Sequence, residues 1–327
     1  MKTPHFIQLH QFDDQLLAAE AAAGLLAHPA QASPKFFYDA LGSRLFDAIT
    51  EVAEYYPTRT EAAIFEAQGA AITAAALAAT GAQPVLVDLG AGNCAKAARL
   101  FGALAPRRYV AVDISVDFLR QALDQLQREH PAVDLLGLGL DFSARLQLPA
   151  DAVDLVNGPA LVFYPGSSIG NFAPADALRL LRQARAVAQG GALLIGVDAV
   201  KPAPLLEAAY DDDLGVTAAF NLNLLKHLNR LLGSNFDVRG WRHLALFNTT
   251  ESRVEMHLAA RAATTVRWPG GERRFDAGER LHTENSYKWT PAGFAALLRE
   301  AGFSEVQHWT DPQGWFGVYL ATGGSAG

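Results

Sequence analysis

A single cysteine, Cys94, stands in a chain of 327 residues, so no intrachain disulfide can form and a reducing compartment is the natural setting. Positive charge is also short. The 27 Lys and Arg are outnumbered by 34 Asp and Glu, and the net charge of −7 argues against a chain-wide grip on nucleic acid or on an anionic membrane. No internal repeat or low-complexity linker occurs, and the first residues carry no basic stretch leading into an apolar one, so they do not read as a signal peptide. The longest apolar run, about residues 70–82, is alanine-rich and broken by Thr73, Thr80 and Gly81, which reads as too weakly hydrophobic for a membrane span. The expectation is a cytoplasmic globular protein, a monomer, whose partner is a small molecule. The last five residues, 323–327, are expected to fray.

What is present is an alternation of element types. Short apolar strands are expected at 84–90, 109–115, 135–142, 160–171 (breaking into a Gly/Ser-rich loop) and 190–200. Helical spacing lies between them, at 94–104, 118–128 and 176–188. Such repeats imply a parallel sheet covered on both faces, with ligands beyond the carboxyl ends of its strands. From Lys201 to about Glu284 the rhythm breaks. That stretch reads as an insertion, with a long helix at 215–232 and strand-like pieces around RVEMHLAARAATTVRW, packed with the N-terminal 55 residues. Alternation resumes with a helix at 291–301 and two late strands joined by the turn DPQG, an antiparallel ending that favours a methyltransferase sheet over a dehydrogenase one.

The segment DLGAGNCA, Asp88 to Ala95, falls where a strand turns into a helix. Gly90 and Gly92 remove the side chains that would keep a ligand from the backbone. Asp113 lies about twenty residues further on, where a carboxylate can accept both hydroxyls of a ribose. The glycine spacing alone fits a dinucleotide, S-adenosylmethionine, or a tight turn with no ligand. Asp141 and Phe142 follow the third strand; an acid and an aromatic there suit an adenine's edge and face, although an N-cap Asp with a core Phe is the plain alternative. A nicotinamide enzyme does not need that pair, so S-adenosylmethionine leads.

Longer motifs carry a family resemblance. KFFYDALGSRLFDAITEVAEYYPTRTE (35–61), YPGSSIGNF (164–172), LLEAAYDDDLGVTAAFNLN (205–223), LHTENSYKW (281–289) and WTDPQGWFGVYLA (309–321) resemble the ergothioneine-pathway histidine Nα-methyltransferases, over about residues 8–321. The resemblance implies an α/β fold: a Rossmann-like class I methyltransferase doubly wound sheet, residues 57–200 plus 287–327, with an inserted second α+β substrate-binding domain, residues 8–56 plus 201–286. It implies that Gly90, Gly92, Lys96, Asp113, Asp141 and Phe142 hold S-adenosyl-L-methionine. Tyr55, Asn171 and Tyr210 would grip the backbone end of the amino acid, with Tyr38 nearby. Glu284 and Ser286 would recognise the imidazole, bordered by Met256.

The chemistry of these residue types agrees. Asn171 offers a donor and an acceptor, so it can bridge a carboxylate and an amine; Tyr210 can donate to the carboxylate. Glu284 can accept from one imidazole N–H while Ser286 meets the other nitrogen, and a site that pairs both ring nitrogens rejects apolar analogues. Each residue also has a plainer reading. Tyr55 and Tyr56 before Pro57 make a packing corner, and Met256 a core residue. Asp211 to Asp213 form an acidic helix start rather than a metal cluster, since no histidine lies at ligand spacing and methyl transfer needs no metal. His257, His282 and His308 are scattered, and Cys94 reads as a buried thiol rather than a nucleophile.

The expected reaction is repeated methylation of the α-nitrogen of free histidine to the trimethylated product, hercynine, with Tyr38 or Tyr55 helping to remove the amine proton. Three alternatives stay open at this point: a methyltransferase for another aromatic amino acid or a thiolated histidine, an NAD-dependent oxidoreductase, and a non-catalytic protein that kept the fold.

Overall fold

The computed structural model describes residues 2–9, 14–142, 146 and 158–323; the end of the tail expected to fray lies outside them. The chain divides into two compact units, one of residues 1–11, 59–200 and 289–327, the other of residues 12–58 and 201–288. Strands are numbered β1 to β14 along the whole chain.

The first unit is built on one sheet of eight strands: β1 (His5–Gln8), β3 (Val85–Leu89), β4 (Arg108–Asp113), β5 (Leu135–Gly139), β6 (Ala160–Tyr164), β7 (Ala192–Asp198), β13 (Glu305–Thr310) and β14 (Phe316–Thr322). Their spatial order is β1-β5-β4-β3-β6-β7-β14-β13. Every pair from β1 to β7 is parallel, and β14 runs antiparallel to both β7 and β13. The short turn after β13 forces that ending, because a parallel return needs a crossover of a dozen residues or more. The sheet is apolar on both faces. Val87, Val110, Val162 and Ile195 fill one core, while Leu86, Tyr109, Leu161 and Leu194 fill another. Strands buried on both sides read as unbroken apolar runs, which is why they are visible in the sequence.

Three features differ from expectation. The N-terminal strand β1 was not foreseen; it adds to the sheet edge beside β5, so the large sheet begins at residue 5 and the boundary expected at residue 8 moves to 11. The helix expected over 94–104 is two single turns, Ala95–Ala98 and Phe101–Leu104, interrupted at Arg99 and Leu100, and the first is entered from Cys94 at a left-handed φ of 62°. The helix Tyr56–Thr80 holds an 18-residue window with a mean hydropathy of 1.4, which makes it the one helix among the described residues long and apolar enough to cross a membrane by length and composition alone. Its Ile64, Ile72 and Ala76 are nonetheless buried among the strands' side chains, along one face of the helix.

The second unit pairs helices with a small sheet of order β2-β12-β9-β8, formed by Ala30–Gln31, Arg280–Tyr287, Arg253–Ala260 and Trp241–Asn248 respectively. A separate hairpin joins β10 (Thr264–Trp268) and β11 (Gly271–Phe275). The helix Val216–Leu232 starts where Asp212 accepts from the N–H groups of Val216 and Thr217, at 2.9 and 2.7 Å. Asp211 and Asp213 remain at its exposed approach, and no group of three or more potential metal ligands occurs among the described residues. Within the sheet, β12 carries one irregularity. His282 pairs with His257 and Glu284 with Met256, so Thr283 is an extra residue, fully buried, whose hydroxyl donates to the Met256 carbonyl at 3.0 Å.

Candidate active site

In the first unit the order of strands reverses at β3, with β4 on one side and β6 on the other, which opens a crevice beyond their carboxyl ends. The glycine turn after β3 is tied to β4. Gly90 and Ala91 donate to the Val112 carbonyl at 2.9 and 3.1 Å, and Gly92 donates to the Asp113 carboxylate at 2.9 Å. Both glycines have left-handed φ, 71° and 52°. A Cβ built on Gly92 would meet nothing within 4 Å, and one on Gly90 would face the Phe142 ring at 3.7 Å. The turn therefore presents bare backbone to open space with an aromatic beside it, a cradle suited to a nucleoside. Burial raises the Asp113 carboxyl above its usual range, although the N–H groups of Ser115 and Gly92 oppose the shift. Asp141 is buried, and Phe142 packs edge-on to Tyr164 with centroids 5.8 Å apart.

Lys96 has a partner the sequence did not reveal. Its ammonium lies 2.7 Å from Glu61, a carboxylate 2% exposed, whose other oxygen accepts from Gly166 at 2.8 Å. Gly196 makes room for that carboxylate, which a Cβ there would strike. Ser167, also left-handed, accepts from the Asp198 N–H at 2.9 Å. These bonds brace the loop that ends at Asn171, the last residue of a single 3₁₀ turn. An isolated acid in an alanine-rich helix was the only sequence signal for Glu61.

Asp88 lies under the turn. Its Oδ2 accepts from the Tyr109 hydroxyl at 2.7 Å while Oδ1, also buried, has no partner. Burial pushes this carboxyl up to about 7, against the Tyr109 hydrogen bond that favours ionisation. Cys94 is buried beside it and its thiol is pushed up to about 12 by burial, so it is no nucleophile.

The second unit gathers Tyr38, Tyr55, Tyr210, Met256, Glu284 and Ser286. Tyr38 packs on Phe46 at 6.0 Å, Phe46 on Tyr55 at 6.4 Å, and Tyr55 on Tyr210 at 6.3 Å. On β12, alternation places Glu284 and Ser286 on one face, and Glu284 stands opposite Met256 of β9. All three are buried. The Tyr210 hydroxyl donates to Ser286 Oγ at 2.7 Å rather than standing clear for a carboxylate. Lys288, absent from the sequence-based assignment, is 3% exposed; it donates to Tyr210 Oη at 3.0 Å and to Ser286 Oγ at 2.9 Å.

His243 supports Tyr210 from β8. Asn221 donates to its Nδ1 at 2.8 Å, which leaves Nε2–H to donate to the Tyr210 carbonyl at 2.7 Å. Burial lowers its pKa and keeps the ring neutral. His257 and His282 lie on the opposite face of β9 and β12 from Met256 and Glu284, bonded to Glu255 and Asn285 at 3.0 and 2.9 Å. His308 stacks on Tyr319 at 5.3 Å.

A sheet of this order with an antiparallel penultimate strand, a bare glycine turn and an acid at the end of the next strand defines a class I S-adenosylmethionine-dependent methyltransferase. A family profile described as histidine-specific methyltransferase, SAM-dependent, matches residues 17–323, and the chain belongs to that family. It is 41% identical to a histidine N-alpha-methyltransferase of Mycolicibacterium smegmatis, covering 94% of this chain and 95% of that one. A protein of the same name from Mycobacterium tuberculosis is 39% identical, over 93% and 94% of the two chains. The ergothioneine biosynthesis protein 1 of Neurospora crassa is 30% identical over 86% of this chain and 32% of its own.

Proposed function

We propose that this protein transfers methyl groups from S-adenosylmethionine to the α-nitrogen of free histidine until the nitrogen is quaternary, giving hercynine, as a step of ergothioneine biosynthesis. The observation that carries the substrate is the pairing of buried Glu284 and Ser286 on one face of β12, backed by Tyr210. A carboxylate and a hydroxyl two residues apart match the two nitrogens of an imidazole and leave an indole one polar partner short. The names of the two mycobacterial relatives agree with that choice. N-methyltransferases with no histidine in their names occur among the relatives too, such as one from Aspergillus fumigatus at 29% identity, so the acceptor is read from these side chains and not from family membership alone.

When bound, S-adenosylmethionine supplies an electrophilic sulfonium methyl. Asp113 accepts the ribose hydroxyls, Gly90 and Gly92 let the cofactor approach, Asp141 and Phe142 hold the adenine, and Lys96 closes the methionine end. Tyr55 and Tyr210 hold the amino acid's backbone end, and Asn171, with both a donor and an acceptor, is the further residue assigned to it. The amine must be unprotonated before each of the first two transfers; its proton leaves to bulk water, and the Tyr38 or Tyr55 hydroxyl helps by hydrogen bonding to the amine directly or through water. The aromatic faces of Tyr38, Tyr55 and Tyr210 favour the growing ammonium. A cytoplasmic monomer without a membrane or nucleic-acid partner suits a lone buried thiol and a net negative charge.

The test is incubation with S-adenosylmethionine and histidine, followed by mass spectrometry for one, two and three added methyl groups. Replacing Glu284 by Ala should lower kcat/KM for histidine about 100-fold, the size of a lost charge-assisted hydrogen bond, while cofactor affinity stays put. Equal losses in both would remove Glu284 from the ring.

A further inference from the structure

We infer that Lys288 is a positioning residue that fixes the hydrogen-bond polarity of Ser286, so that the site admits only a neutral imidazole with its single N–H facing Glu284. This rests on the reading of Glu284 and Ser286 as the ring's partners.

Lone pairs carry the argument. An ammonium has three N–H groups and nothing to accept with, and a serine oxygen has one proton and two lone pairs. Lys288 donates to Ser286 Oγ at 2.9 Å, which takes the first lone pair, and the Tyr210 hydroxyl donates at 2.7 Å, which takes the second. The reverse direction, serine donating to tyrosine, is disfavoured because a phenol is the stronger donor and the weaker acceptor, and because Tyr210 Oη already accepts from Lys288 at 3.0 Å. Ser286 is left with its own O–H alone. Its next partner must be an acceptor.

Glu284, two residues back on the same face, is acceptor only when ionised. The face therefore offers one donor and one acceptor, and a neutral imidazole carries the complementary set in one tautomer. An imidazolium carries two N–H groups, one of which would point at the Ser286 proton. Ser286 and Lys288 are buried and Tyr210 is half-buried beside them, so water cannot mend the mismatch cheaply at Ser286.

The other ionisable groups around this set are engaged elsewhere. His243 of β8 spends both ring nitrogens on Asn221 and the Tyr210 carbonyl, with Asp211 3.8 Å from its Nε2. The Tyr55 ring lies against Tyr210. Glu255, His257 and Arg253 of β9 and His282 of β12 occupy the opposite face of the sheet. Lys201 donates to the Tyr56 hydroxyl at 2.8 Å.

The experiment is calorimetric titration of histidine into protein saturated with S-adenosylhomocysteine, from pH 8 to 5.5. The Kd should be flat above neutrality and weaken about tenfold per pH unit below the ordinary imidazole pKa of about 6.5. A triazole analogue of histidine, whose ring stays neutral across this range, should bind with no such weakening. Lys288→Met frees one lone pair on Ser286, so its acid-side loss should shrink to less than about threefold. Unchanged S-adenosylhomocysteine affinity in that variant reports an intact fold, and an acid-side loss in it as steep as the wild type's overturns the role of Lys288. A histidine Kd that stays flat to pH 5.5, or a triazole ligand that weakens in parallel, overturns the inference and leaves the histidine reading standing. No histidine binding at any pH overturns both.

Discussion

The two compact units keep their buried ionisable groups on opposite terms. In the first, burial raises the acids: Asp113 lies above its usual range and Asp88 reaches about 7. In the second, burial lowers the bases His243 and His282, and brings His257 to about 4. Glu255 goes the other way from Asp88: burial would raise it, but hydrogen bonds from Asn248, Arg253 and His257 outweigh burial and hold it at about 2. The signs follow from linkage. A carboxyl raised in the fold gives stability that is present below its ordinary pKa of 3.8 and lost as pH rises towards 7, as for Asp88. A histidine lowered from 6.5 gives stability that is present above that value and lost as pH falls towards 4, as for His257. Acidification from neutrality thus tightens one unit while it loosens the other. The lesson is that the first unit stores desolvated acids at and beneath its glycine turn, whereas the second closes its charges on one another.

The largest test of this contrast is Asp113→Ala, which should weaken S-adenosylhomocysteine binding about 1,000-fold in calorimetry, because two hydrogen bonds to a charged group are lost. Glu284→Ala, in the other unit, should change that affinity less than about twofold; comparable losses would break the division of labour. Next in size, Glu61→Ala strands Lys96 and the Gly166 N–H. It should cost about 2 kcal/mol in denaturant unfolding, short of a fully buried pair because Lys96 is partly solvated. Amide exchange at pH 5 against pH 7, corrected for intrinsic rates, should then show protection rising in β3 and β4 and falling in β8 and β9. Asp88→Asn should flatten the first trend and spare the second, and uniform behaviour across both units would erase the contrast. The smallest effect belongs to Met256→Leu, a volume-conserving change worth under about 1.5 kcal/mol, which should move the histidine KM by about twofold at most.

What could be read beforehand tracks how local each signal is. The glycine turn, Asp113 and the apolar strands were legible because a doubly buried parallel strand and a left-handed backbone each leave a mark within a few residues. Strand β1 left none: HFIQ is four residues at a sheet edge, with no continuous apolar run. Glu61 and Lys288 were missed for a related reason. An acid in a helix and a lysine after a strand are solvated by default, and only long-range packing makes them otherwise. Lys288 reaches Tyr210 across 78 residues of chain, and no spacing rule spans that gap. The interruption at Arg99 and Leu100 also escaped, since neither a glycine nor a proline marks it. The motifs that name Glu284 and Ser286 were plain in the sequence; that Tyr210 bonds to Ser286 was not.

The extra residue Thr283 has a consequence for how this segment tolerates changes in length. His282 and Glu284 are two residues apart yet occupy opposite faces, because the bulge at Thr283 absorbs one step of the alternation. A single-codon deletion at Thr283 would therefore leave Glu284 opposite Met256 and Ser286 opposite Val254, and would remove the bulge alone. Removing Asn285 instead would make Glu284 and Ser286 neighbours in sequence, whose side chains point to opposite faces. Both residues of the proposed ring-reading pair would still be present, but no longer on one face.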